Sequence, residues 1–375
     1  MTHLSKPILC CLAVVFLFFT ACNGSRKSKK ETPTPLVINE STAKVFGQQL
    51  ERSANEGVAD FYNESFDETH LKELIGENSI VKSSLDSDFG LSYFKSYMQF
   101  QGNQCNEVIN NGGDYKCVKI YEKEGVYHLV FRKYIDLGNM EIFDYQLSIV
   151  DNKIKIANGF LYNNSASLAN DLLYTILYEV MKKTNPEGET AVFVQIRQLL
   201  DAKKTKEALL LLNQEKQRLS SYPYYIDLYI RALFEVAPKD FLVNIAKMES
   251  DNMIDKRTAL LHTLLFCSNQ GLVNQCQETI EALINFSGDD PIYLLFFAHA
   301  QYEAKSYQDA IACYHLAAEN LPYLWDIWYG ELSCYDKLHD TDNFFNTLEK
   351  SKTSFNFTDD EVKDFLRRHF PNAKR

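Results

Sequence analysis

PIYLLFFAHAQYEAKSYQDAIACYHLAAENLP, running from Pro291 to Pro322, decides how the second half of this chain folds. Apolar residues recur three and four places apart on both sides of Lys305-Ser306, the signature of two amphipathic helices joined by a tight turn. Ala298 and Ala310 stand where the two helices of such a hairpin approach most closely.

The pattern repeats at a step of 34 residues. One column reads Ala208, Leu242, Cys276, Ala310, Phe344, and a second reads Leu212, Ala246, Ile280, Tyr314, Leu348. Two more are Ile196, Ile230, Leu264, Ala298, Leu332 and Val192, Ile226, Leu260, Leu294, Trp328. No charged or amide residue occupies any of these places, although charged residues make up 24% of the chain. Turns fall at Lys203, Ala237, Gly271, Lys305 and His339. One hairpin cannot cover its own apolar faces, whereas stacked neighbours can, so a regular period implies a stack.

The 291–322 unit resembles a tetratricopeptide repeat (TPR). Leu294, Phe297-Ala298, Ala310, Tyr314 and Pro322 fill the family's positions, and Gln301 departs from its Tyr, with Tyr302 beside it. The resemblance implies five repeats over residues 189–358, wound as an all-α superhelix, with a capping helix over 359–375. In that family the first helix of each repeat lines a concave groove. The groove residues implied here are Phe193, Arg197, Tyr224, Asp227, Arg231, Leu261, Leu265, Leu295, His299, Tyr302 and Tyr329. Aromatic side chains and arginine dominate binding energy at interfaces. The expectation is therefore a surface that holds a peptide or helix of another protein.

Residues 1–21 read as a targeting signal. Lys6 precedes an apolar run from Ile8 to Phe19, which is too short to span a bilayer needing about 20 residues. Phe19-Thr20-Ala21-Cys22 resembles a bacterial lipoprotein signal, which implies lipidation of Cys22 as the mature N-terminus. Asn23 after that Cys implies the outer membrane, with the protein facing the periplasm. Residues 22–39 are then a lipidated linker. Its basic tract Arg26, Lys27, Lys29, Lys30 is either a second contact with anionic lipid or the solvated start of the linker.

Residues 40–165 read as a separate α+β domain, joined to the repeats by a connecting helix over 166–188. Helices are expected over 41–66, with Val45, Leu50, Val58, Phe61 and Tyr62 apolar, over 67–76 with Asp67 as N-cap, and over 87–100. Period-two alternation then marks four strands, at 115–122, 126–136, 141–150 and 153–162, in an antiparallel meander with helices on one sheet face. In the second strand Tyr127, Leu129, Phe131 and Ile135 are read as core. In the third, Phe143, Tyr145, Leu147 and Ile149 face inward and Asp144, Gln146 and Ser148 outward. The order of elements resembles the nuclear transport factor 2-like cone. Candidates for an acid–base pair in such a cone are His70, His128, Arg132, Asp144 and Tyr145, but no spacing among them implies a mechanism, and His128 reads as solvent-facing or interfacial.

Six cysteines remain beyond the signal and Cys22. Cys105–Cys117 and Cys267–Cys276 are either bridged, as an exported setting permits, or small buried thiols. The net charge of −11 and the absence of a basic face argue against nucleic acid. No hydrolase, zinc-protease or phosphate-loop motif is present, so neither a catalytic residue nor a cofactor nor a metal is indicated. The function expected is a membrane-anchored scaffold or adaptor that binds another envelope protein. The alternative is ligand binding or catalysis by residues 40–165, with the repeats as a docking module.

Overall fold

Alternating side chains carry the backbone from Asp114 into a meander: β1 (Asp114–Lys123), β2 (Val126–Asp136), β3 (Asn139–Val150) and β4 (Lys153–Leu161). The strands pair antiparallel in chain order, and a fifth, β5 (Ala166–Ser167), adds to β4. Four strands were expected; two residues are too few for any period to register. The computed structural model describes residues 36–76, 88–110, 112–184, 188–371 and 373. The expected signal, Cys22, most of the linker and the Pro186 break lie outside the described residues.

Before the sheet come α1 (Glu40–Asn55), α2 (Ala59–Glu64), α3 (Glu68–Ile75) and α4 (Asp88–Asn110). The single helix expected over 41–66 is broken at Gly57, whose φ of +72° no right-handed helix accommodates. The buried stripe of α1 is Ala43, Phe46, Leu50 and Ala54, while Val45, Val58 and Phe61 are exposed, contrary to expectation. Asp67 does cap α3, accepting from the His70 N–H at 3.0 Å.

One face of the sheet presents Leu129, Phe131, Tyr145, Leu147 and Ile156 to Phe46, Leu50, Tyr62, Phe66 and Phe94. α5 (Leu168–Thr184) adds Leu172 and Ile176 to this core. Ile149, expected inside, is exposed. The second face is not open to water. Val130, Tyr134, Met140, Ile142 and Tyr162 belong to one continuous core with the C-terminal helices. The sheet is thus covered on both faces, and Val37–Arg375 forms one compact unit.

The C-terminal region is helical throughout. Five hairpins follow one another: α6 (Glu189–Asp201) with α7 (Thr205–Gln214), α9 (Pro223–Val236) with α10 (Phe241–Ser250), α11 (Lys256–Gln270) with α12 (Val273–Ser287), α13 (Ile292–Glu303) with α14 (Tyr307–Asn320), and α15 (Trp325–Leu338) with α16 (Thr341–Phe355). The single turn α8 (Lys216–Leu219) links the first two, and α17 (Asp359–His369) closes the chain behind a Thr358/Glu361 capping box. α13 packs on both α11 and α15, as stacking requires.

The period is visible in the backbone. Lys203, Gly271, Lys305 and His339, 34 residues apart or a multiple of it, all take positive φ between 56° and 66°. The fifth turn position, Ala237, sits at φ −129°. Pro238 follows it and disfavours helical or left-handed geometry at the preceding residue. The connection there lengthens, and α10 buries Phe241, Ile245 and Met248 in place of the expected Leu242 and Ala246, a slip of one residue. In the other four hairpins Ala208, Cys276, Ala310 and Phe344 are buried as expected, and so are Ile196, Leu264, Ala298 and Leu332, whereas Val192, Leu260, Ile280 and Leu294 are only half-buried. A left-handed non-glycine residue costs about 1–2 kcal/mol, partly offset because glycine loses more entropy on folding. Lys305→Gly and His339→Gly should each raise stability by about 0.5 kcal/mol. Calorimetric melting checks this, and a lower melting temperature in both would contradict it.

Candidate functional site

The polar residues that alternate along the outward face of β2 and β3 meet the first helices of the hairpins. Arg132, 1% exposed, is clamped by two carboxylates. Its Nη2 donates to both Asp114 oxygens at 2.6 Å, and its Nη1 to Asp290 Oδ1 at 2.5 Å. Tyr323 donates to Asp114 Oδ2 at 2.5 Å, and the Ile292 N–H to Asp290 Oδ1 at 3.1 Å. Burial works to lower the guanidinium pKa, but Asp290 and Asp114 outweigh it and the pKa is raised. Burial pushes the Asp290 carboxyl up, against the pull of Arg132.

A second polar knot lies along the same seam. His128 Nδ1 is 2.9 Å from Asp144 Oδ1, and the Tyr121 hydroxyl donates to Asp144 Oδ2 at 2.6 Å. Arg257 of α11 reaches Asp144 at 3.4 Å and stacks 3.6 Å above the Phe160 ring. The sequence offered His128 and Asp144 as candidates but no partner, because the partners sit on β1 and α11. Both are buried, and Arg257, 22% exposed, covers them, so this arrangement fastens the sheet to the helices. Of the other candidates, Tyr145 shares a hydrogen bond with Tyr62 at 3.0 Å inside the first core, and His70 lies on the surface near Glu73. Among the described residues no group of three or more His, Cys, Asp or Glu is placed to hold a metal ion.

The open site lies at one end of this seam. A cleft of about 510 Å³ is bounded by Glu141, Phe143, Leu161, Asn163 and Asn164 of the sheet and its exit, and by Asp171, Tyr174, Thr175, Tyr178 and Glu179 of α5. Phe193 and Arg197 of α6, Tyr222 before α9, and Pro223, Tyr224 and Asp227 of α9 close it, with Gln104 of α4. The rings form a connected wall: Tyr174–Tyr222 at 4.9 Å, Phe193–Tyr222 at 5.4 Å, Phe193–Tyr224 at 5.5 Å and Tyr178–Phe193 at 6.3 Å between centroids. Asp171 accepts from Tyr97 at 2.5 Å and from Asn164 Nδ2 at 2.7 Å, and burial raises its pKa all the same. Burial also raises the Asp227 carboxyl, with His262 and Arg231 pulling the other way.

Comparison with protein families, with curated proteins and with solved structures gave no match. The site therefore rests on its own geometry.

The residues assigned to a groove fall into two sets. Leu261, Leu265 and Leu295 are buried in the core shared with the sheet, and so do not offer a binding surface. His299 is mostly covered and lies against Tyr302, which packs on Tyr307. The sheet occupies the face where the sequence placed a partner. Arg197, Tyr224 and Asp227 come together in the cleft over Phe193, which is itself 1% exposed and part of the same core, and Arg231 is exposed on the same helix as Asp227. Tyr329 stands apart, in a hollow of about 240 Å³ with Trp325, Phe357, Phe365 and His369. Sequence reasoning missed Asp171, Tyr174, Tyr178 and Glu179. Their signal was present: with Thr175 they form a stripe at helical spacing on α5, beside the more conspicuous Leu168, Leu172, Ile176 stripe.

Cys105, Cys117, Cys267 and Cys276 are free thiols in the structure, all buried except Cys117, which is half-buried. Burial pushes Cys105 and Cys267 up to about 11 and Cys117 and Cys276 up to about 12. They behave as small apolar side chains.

His262 borders the cleft through Asn163, whose carbonyl accepts from its Nε2 at 2.8 Å. That contact requires the proton on Nε2, and burial lowers the imidazole pKa. A depressed folded-state pKa gives stability that is complete above the ordinary value of about 6.5 and is lost as pH falls, because the unfolded chain binds the proton first. The melting temperature should therefore drop between pH 7.5 and 5.5. In His262→Gln, which keeps a donor but does not titrate, the drop should be smaller; equal slopes would remove His262 as the cause.

Proposed function

We propose that this chain is a TPR-like adaptor of the bacterial envelope that holds a segment of another envelope protein in the cleft between sheet, α5, α6 and α9. In this reading Cys22 carries the lipid anchor, at the outer membrane facing the periplasm, and the helical hairpins form a TPR superhelix. One observation supports it above the rest: Phe193, Arg197, Tyr224 and Asp227, chosen from the repeat pattern alone, line one open cavity, while most of the remaining groove face is filled by the chain's own sheet. The sheet then acts as a fixed insert that narrows the groove to one end.

A small-ligand role keeps one argument in its favour, since about 510 Å³ lies within the size range of small-molecule sites. In-cell photo-crosslinking separates the two. A photoreactive side chain at Tyr224 should yield a discrete adduct with one envelope protein, and the same group at exposed Leu316 should not. Matching adducts at both positions, or none at Tyr224, would end the adaptor reading. Cys22→Ser should move the protein out of the membrane fraction; unchanged fractionation would remove the anchor.

A further inference from the structure

The cleft is one-sided in charge and in hydrogen-bonding capacity. Four carboxylates line it, Glu141, Asp171, Glu179 and Asp227, against the single cation Arg197. Two of the four are engaged: Lys133 pairs with Glu141 at 2.5 Å, and Tyr97 and Asn164 donate to Asp171. Asp227 and Glu179 accept no hydrogen bond from any described residue.

Asn164 gives an independent indication. Its Nδ2 must face Asp171, because the flipped amide would set oxygen against oxygen. Its Oδ1 is then buried and finds no donor among the described residues. An unmade bond of this kind costs free energy, which a ligand N–H recovers when the amide turns its oxygen toward the cleft that Asn164 lines. The wall opposite is aromatic, and ring faces attract cations. Spare acceptors, excess negative charge and ring faces together select a positively charged donor with an apolar stem. Arginine and lysine side chains have that form.

We propose that the cleft captures an arginine or lysine side chain carried on an extended segment of the partner protein. The inference rests on the adaptor reading and adds the chemistry of the bound residue. The connected row Tyr174, Tyr222, Phe193, Tyr224 is longer than one side chain needs, which suits a segment laid across it better than a free small cation. Arg197 would repel the incoming charge, so it sets the strength of the site from within.

Titration calorimetry on the full chain tests this with N-acetyl-arginine amide, N-acetyl-citrulline amide and a capped hexapeptide with one central arginine. The arginine probe should bind at least tenfold tighter than the neutral citrulline probe, and the hexapeptide tighter again. Asp227→Asn with Glu179→Gln should weaken the hexapeptide at least tenfold, while Arg197→Ala should strengthen it several-fold. Asp227→Asn should not lower the melting temperature at pH 8, since the side chain is exposed and accepts no hydrogen bond from a described residue. Equal binding of arginine and citrulline probes overturns the proposal, as does weaker binding in Arg197→Ala. Equal binding of the capped amino acid and the hexapeptide overturns it too, since a small cation is then the ligand. If the arginine probes fail but crosslinking from Tyr224 still captures an envelope protein, the charge inference falls and the adaptor reading survives. If both fail, the cleft is not the binding site.

Discussion

Arg132→Ala should cost about 3–5 kcal/mol of unfolding free energy, the range found when one partner of a buried ion pair is deleted. The loss comes from what stays behind. Asp114 and Asp290 are both nearly inaccessible, and each relies on the guanidinium for its main charged contact. Among the described residues, only Tyr323 and the Ile292 N–H would still donate to them. The two carboxylates come from β1 and from the start of α13, so the damage falls on the seam between sheet and helices. Its pH dependence should identify the mechanism. Burial already pushes the Asp290 carboxyl up against the pull of Arg132, so without Arg132 it lies further above its unfolded value and acid relieves the penalty. The deficit measured by urea denaturation should be larger at pH 8 than at pH 5. Replacing Arg132, Asp114 and Asp290 together by apolar residues of similar volume should return most of the stability. A single Arg132→Ala variant within 1 kcal/mol of the parent would show that the seam is held by its apolar contacts alone.

That seam marks where sequence reasoning reached its limit. Local signals were sound: the Asp67 cap, the Thr358/Glu361 capping box and the turn positions Lys203, Gly271, Lys305 and His339 all follow from chemistry within a few residues. The strands were legible because alternation needs only neighbours. What could not be read was the use of the polar half of that alternation. Asp144, His128 and Arg132 look like a solvated face until β1, α11 and α13 supply their partners, more than a hundred residues away in the case of Arg257 and Asp290. The groove failed for the same reason. Leu261, Leu265 and Leu295 carry the right spacing to line a concavity, but no local pattern reveals that the chain fills it with its own sheet. Phe193, Arg197, Tyr224 and Asp227 survive as candidates because an open cleft remains between them and Glu141, Phe143 and Leu161 of the sheet. The second hairpin shows a smaller version of the limit: a constant period cannot show that Pro238 shifts one register by a residue.

The second large effect is expected at Gly330, between α14 and α15. A Cβ built there would lie 2.3 Å from Tyr314 Cζ, 2.5 Å from Cε1 and 2.6 Å from the hydroxyl oxygen. Tyr314 is 1% exposed and belongs to the apolar column on which the repeat pattern was recognised, so its ring cannot swing into solvent. Adding one methyl group therefore has to push a pair of stacked helices apart or force the ring off its rotamer. Overpacking of this kind costs about 1–3 kcal/mol, and the distances here place Gly330→Ala at or above the upper end. Helix propensity acts in the opposite direction, since alanine is favoured over glycine by about 1 kcal/mol in a helix interior. A net loss would thus show that the close approach outweighs the backbone preference. Tyr314→Phe should not rescue the variant, because the ring carbons that clash remain. Tyr314→Leu should rescue it, so that the alanine is close to neutral or stabilising in that background, with a coupling energy above about 1 kcal/mol in a double-mutant cycle. Thermal and urea unfolding of the four proteins measure that coupling. Additive effects would mean that α14 and α15 are not pressed together through Tyr314 and Gly330, and the stacking of the last two hairpins would need another explanation.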